Sequence, residues 1–209
     1  MDTAFLITSF ATLFVVIDPI GLTPVFIALT AGADKAHRRT VAIRACVVAA
    51  LILLLFAFLG ETVLSTIGIS MPAFRISGGI LLFITALDML FERRTKRRDN
   101  QAEEQAEEPE HPDPSVFPMA IPLIAGPGAI ASMILLMGQT TNAIGVATVI
   151  GVMLAVIVIA AVMFLLSGPI ERALGKTGIT VVTRLLGMLL AALSVQFVLD
   201  GLSAVGFGG

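Results

Sequence analysis

The chain has 209 residues, 57% of them hydrophobic and 13% charged, with a mean hydropathy of +1.00. Those proportions exclude an ordinary soluble domain and describe a polytopic membrane protein. The net charge of −2 says nothing about partners, because the charges are segregated along the chain.

Six apolar runs stand out, over residues 4–30, 41–60, 71–91, 116–137, 143–167 and 179–201. Each is expected to be a helix, since only helices and closed barrels span membranes and these runs do not alternate. The start, Met1-Asp2, lacks the positive region of a cleavable signal, so the first run reads as a span. Trp and Tyr are both absent, so the usual aromatic belt is missing.

The first run contains Ile17-Asp18-Pro19-Ile20-Gly21-Leu22-Thr23-Pro24. Pro19 and Pro24 donate no backbone N–H, and each ring clashes with the carbonyl four residues earlier. Gly21 relaxes the backbone further. The sequence therefore predicts a helix broken at mid-membrane depth. An ionised Asp18 there costs about 2.5–3.5 kcal/mol on insertion scales. One reading is structural: a proline kink whose carboxylate caps the second half-helix. The other is functional: a binding site lined by half-helix ends, with Asp18 carrying a proton, a coupling cation or a substrate ammonium.

The loop that follows carries Lys35, Arg38 and Arg39, and the second run contains Cys46, the only cysteine. One cysteine permits no intrachain disulfide and no thiolate metal cluster, and Cys46 reads as a packing residue. Residues 92–115 are the only long hydrophilic segment. A basic block of Arg93, Arg94, Lys96, Arg97 and Arg98 precedes acidic and proline-rich residues. That composition predicts a disordered or weakly helical linker whose basic block can touch anionic lipid.

In the fourth run, Ala125-Gly126-Pro127-Gly128-Ala129-Ile130 again interrupts a helix, and Pro127 follows Pro19 by 108 positions. Arg184-Leu185-Leu186-Gly187 answers Arg75-Ile76-Ser77-Gly78, and Glu171 answers Glu61, at nearly the same offset. The chain thus reads as a duplication: 1–91, the linker 92–115, and 116–209. Each half holds three spans, an odd number, so the second enters the membrane inverted. Paired Gly/Pro-broken spans in such halves point to a midplane site. Its candidates are Asp18, Pro19, Gly21, Thr23, Pro24, Gly126, Pro127, Gly128 and Ser132, with Ser194 nearby. Amides after Pro127, at a positive half-helix end, suit a substrate carboxylate. Glu61–Arg75 and Glu171–Arg184 are candidate alternating gates, or else headgroup and surface pairs.

Every loop with Lys or Arg falls on one side, which the positive-inside rule makes cytoplasmic, with both termini outside. No zinc-protease, hydrolase, Walker A or dinucleotide motif occurs, so neither an enzyme nor an ATP-driven pump is expected, and no cofactor, metal or nucleic acid is implied.

Asp18-Pro19-Ile20-Gly21-Leu22-Thr23-Pro24-Val25-Phe26 and Pro122-Leu123-Ile124-Ala125-Gly126-Pro127-Gly128-Ala129-Ile130 resemble the two hallmark motifs of the MarC family of bacterial inner-membrane proteins. The resemblance covers the chain apart from the linker. It implies a secondary transporter or exporter of small neutral amino acids in the inner membrane. Alternating access is the expected mechanism, and a proton is favoured over sodium as coupling ion, because one isolated carboxylate makes a poor sodium cage. The competing classes are a non-transporting scaffold or regulatory partner and a passive channel. Oligomeric state is left open.

Overall fold

The computed structural model describes residues 3–93, 97–98 and 113–207, except for the side chains of Glu171 and Lys176. Among these residues all regular structure is helical. In chain order the elements are α1 (Thr3–Ile17), α2 (Pro19–Leu29), α3 (Lys35–Thr66) and α4 (Met71–Leu90). A wide-turned segment, Ser115–Ile124, then leads into α5 (Pro127–Met137), α6 (Ala143–Leu165) and α7 (Ser167–Ala204).

Five stretches are long and apolar enough to cross a bilayer: Thr3–Leu29, Lys35–Thr66, Met71–Leu90, Ala143–Leu165 and Thr177–Ala204. Ser115–Ile124 and Pro127–Met137 make a sixth only when joined across a 55° bend. At about 1.5 Å per residue, α4 alone matches a hydrocarbon core of about 30 Å.

Local chemistry sets the helix ends. Asp34 caps α3 by accepting a 2.7 Å bond from the His37 amide. The helix therefore starts inside the basic loop and runs past both limits of the expected 41–60 span. Ser70 and Asn142 cap α4 and α6 in the same way. In α7, Gly175 adopts φ 61°, a conformation only glycine takes freely, and this separates a short first piece from the spanning part.

Packing follows the split between apolar bulk and small residues. Leu13, Ile17, Leu22, Phe26, Leu53 and Phe164 are fully or nearly fully buried, and the Phe26 and Phe164 rings stack at 5.0 Å. Leu51 and Leu55 on α3, and Leu185 and Leu189 on α7, point outward instead. An apolar outer face is what lipid requires of a membrane protein.

The most extensive helix contact joins α4 to α7. A methyl on Gly79 would meet the Ser194 carbonyl oxygen at 2.8 Å, and one on Gly201 would meet the Pro72 carbonyl oxygen at 3.1 Å. Further along α4, Gly187 faces Ala86. As α4 advances α7 recedes, so the pair is antiparallel and its backbones touch through glycines. The halves on either side of residues 92–115 are interleaved: α3 packs on Ser115–Ile124 and α5, and α2 packs on α6 and α7.

Polar ties fasten the ends. Arg38 donates to Ser167 Oγ at 2.9 Å and lies over the Phe26 ring at 5.6 Å. Arg44 forms an ion pair with Asp113. Burial pushes the Asp113 carboxyl up, but hydrogen bonding from Ser115 and the Arg44 and His37 charges outweigh it and hold it below its usual value. Residues 94–96 and 99–112, most of the segment read as a linker, lie outside the described residues.

Candidate functional site

The first interruption falls on a single residue. Asp18 takes a left-handed conformation, φ 55° and ψ 63°, which aspartate tolerates better than most residues. Its Oδ1 accepts a 3.0 Å bond from the Gly21 amide and so caps α2, whose first residue is Pro19. A methyl on Gly21 would lie 2.1 Å from Asp18 Oδ2, so only glycine admits the cap. Pro24 breaks nothing further; α2 runs through it. Thr23 is fully buried, and its hydroxyl donates to the Pro19 carbonyl at 2.9 Å.

The second interruption is larger. Phe117 and Ile121 have extended backbones inside Ser115–Ile124, each ahead of a cis proline, and the chain bends 55° before Pro127 opens α5. Gly126 is the N-cap and supplies no side-chain acceptor. A methyl on Gly126 would lie 2.5 Å from the Pro122 carbonyl oxygen, and one on Gly128 would lie 3.2 Å from Val16 Cγ1. Gly128 therefore sets α5 against α1 two residues before Asp18. Ser132 is fully buried and its hydroxyl has no hydrogen-bond partner.

The two interruptions meet at a cavity of about 270 Å³. Val16 lines one side, and Pro122 through Ala129 contribute much of the other. The rest of its polar lining was not read from the sequence as a site: Thr85 and Asp88 of α4, and Arg97 and Arg98 of the basic block. Arg98 forms a 2.9 Å ion pair with Asp18 Oδ2, its side chain 5% exposed and that of Asp18 0%. It also donates to the Ile17 carbonyl at 3.4 Å. Arg97 pairs with Asp88 at 2.6 Å, the arginine 63% exposed and the carboxylate 13%. Asp18 is thus not the isolated carboxylate expected, and two cations of the basic block reach into the bundle.

A buried pair of this kind gains little net energy over an apolar pair of the same shape. Removing one partner, however, leaves a charge stranded in low dielectric. The Asp18–Arg98 pair is therefore a device of arrangement more than of stability. Asp88 is largely buried, and Gln196 bonds Asp200 on its own helix at 2.7 Å. Ser194 likewise bonds within its helix, to the Ala191 carbonyl.

Among the described residues, Glu61 and Arg75 form no ion pair. Glu61 is exposed, and Arg75 Nε is buried with no hydrogen-bond partner. Arg184 pairs with Glu92 at the end of α4, and the Glu171 side chain lies outside the described residues. One sequence signal pointed to the missed residues: Asp88 stands near the end of an apolar run, nine positions before Arg97. Nothing in the basic block marks which of its cations turns inward.

Residues 3–205 match the model of a family described as MarC family integral membrane protein. A UPF0056 membrane protein of Archaeoglobus fulgidus is 38% identical over 200 residues, covering 96% of this chain and 93% of the relative. The UPF0056 membrane protein YhcE of Escherichia coli is 35% identical, covering 94% and 91% of the two chains. For YvbG of Bacillus subtilis, also a UPF0056 membrane protein, the identity is 34% and the coverage 98% and 97%. No solved structure matches. On the breadth of these matches and the helices just described, this chain belongs to the MarC family of integral membrane proteins.

Proposed function

We propose that this protein is a secondary transporter or exporter of small neutral amino acids, working by alternating access in a bacterial inner membrane. The observation that carries the reading is the charged cavity between the two interrupted spans. Its volume of about 270 Å³ lies just below the roughly 300–1,000 Å³ typical of drug-sized ligands, which suits a small solute. Irregular backbone at membrane depth is tolerated where it lines such a cavity.

In this reading the two triplets of spans are inverted copies related by a two-fold axis in the membrane plane. The antiparallel contact of α4 with α7, the third span of each triplet, supports it. Both termini are outside and residues 92–115 cytoplasmic. On a Cys46→Ser background, cysteines at Ser65 and Asn142 are expected to react with an impermeant maleimide from outside, and one at Lys35 only from inside. Reversal of that pattern defeats the orientation.

The coupling ion in this reading is a proton. Asp88, whose partner Arg97 is mostly exposed, is the carrier we favour over Asp18, which is fully buried against Arg98. Proteoliposomes loaded with the purified chain are expected to take up labelled glycine, alanine, serine or threonine saturably, with counterflow and a response to a pH gradient. Flux no greater than that of empty vesicles for all four removes the reading. Flux without saturation or counterflow assigns a passive channel instead.

A further inference from the structure

Among the described residues the charges at the cavity balance: Arg97 and Arg98 against Asp18 and Asp88. A solute with net charge would leave one of these charges uncompensated in a low-dielectric site. A solute with both poles can replace one partner of a pair and keep the balance.

The two pairs are unequal. Asp18 is fully buried behind Arg98, and the arginine, not the aspartate, lines the cavity. Beside it stands the first turn of α5, where Gly126 to Ala129 line the same void and no side chain caps the helix. That wall is cationic, made of a guanidinium and helix-start amides, the chemistry that holds a carboxylate. Opposite in sign is Asp88, itself in the lining and largely buried. Its partner Arg97 is mostly exposed, and an ion pair with one solvated member is held weakly.

We propose that Arg98 and the first turn of α5 bind the carboxylate of a small zwitterion, while Asp88 binds its ammonium and Arg97 swings out. Asp18 is then a positioning residue that aims Arg98 and stays in place through the exchange. This assignment rests on the transport reading above, but it is tested by binding rather than flux.

The test uses the full chain in lipid nanodiscs and equilibrium binding of L-alanine, alaninamide, which lacks the carboxylate, and propionate, which lacks the ammonium. The wild type is expected to bind alanine at least tenfold more tightly than either analogue. Asp88→Asn should lower alanine affinity at least tenfold and leave propionate binding within twofold. Arg98→Lys, which keeps the charge beside Asp18 but loses the planar fork, should weaken alanine and propionate alike while the melting temperature holds. Arg97→Gln, at a mostly exposed position, should raise alanine affinity at least threefold by removing the competing cation. Alaninamide binding as tightly as alanine, or Asp88→Asn binding alanine within twofold of wild type, overturns the assignment. So does a loss of affinity in Arg97→Gln. If the wild type binds none of glycine, alanine, serine and threonine, the transport reading fails and takes this assignment with it. If alanine binds and only the variants fail to respond, the assignment alone fails.

Discussion

The two interrupted spans use the same kind of motif to opposite ends. In the first, the departure from helix is one left-handed residue, and Thr3–Leu29 still reads as a single stretch. Asp18 fills its own gap by capping α2, and Arg98 fills what is left. In the second, the backbone bends 55°, no side chain caps α5, and the space becomes cavity wall. The break with the carboxylate is filled, and the break without one borders the cavity. An aspartate at a helix break supplies its own acceptor, so it seals the break; a glycine supplies none and leaves the amides to a ligand or to water.

That contrast can be broken most strongly at the buried pair. Arg98→Gln leaves Asp18 unpaired in the core and is expected to destabilise the protein by about 3–5 kcal/mol. The double variant Asp18→Asn/Arg98→Gln should recover most of that loss, because asparagine keeps the left-handed backbone and the cap without the charge. Thermal unfolding in detergent measures both, and a double variant no more stable than Arg98→Gln would show that the charge is not the cause. Next in size is Gly21→Ala, whose methyl would meet Asp18 Oδ2 at 2.1 Å; overpacking of this sort costs about 1–3 kcal/mol. Gly128→Ala sharpens the comparison, since its nearest neighbour is the Val16 side chain at 3.2 Å, which can give by a few tenths of an ångström. It is expected to cost about 1 kcal/mol or less, the low end of the overpacking range. A Gly128→Ala effect equal to that of Gly21→Ala would mean the second break is as tightly filled as the first. Smallest is Arg184→Gln, at the surface pair with Glu92, expected to change stability by about 0–1 kcal/mol.

Much of the fold was legible before any coordinates. Apolar runs of span length report helices because backbone groups in lipid have no other partner. Asp18 before Pro19 carries the signature of a helix start, and Pro127 likewise opens α5. What misled was reading each polar residue against its own span. Asp18 looked alone because its partner lies 80 positions on, in a segment whose composition argued for solvent. Arg184 was matched to a carboxylate of its own half, while Glu92, at the start of the segment read as a linker, reaches it. Pro24 was read as part of the break, yet α2 runs through it, since a helix anchored on both sides can absorb one missing N–H.

By itself, then, the sequence determined the membrane solvent, the helical class, the number of apolar runs and the two positions where a helix cannot run on. These are properties of local chemistry, set by apolar length, missing amide hydrogens and residues that admit a left-handed backbone. Tertiary structure decided which charges meet. Arg98 meets Asp18, 80 positions earlier, and α4 lies antiparallel on α7, because burial in one bundle brings together groups that the chain keeps far apart. An ion pair between distant positions leaves no trace in spacing or composition. It exists only once packing has removed the water that would otherwise solvate both partners.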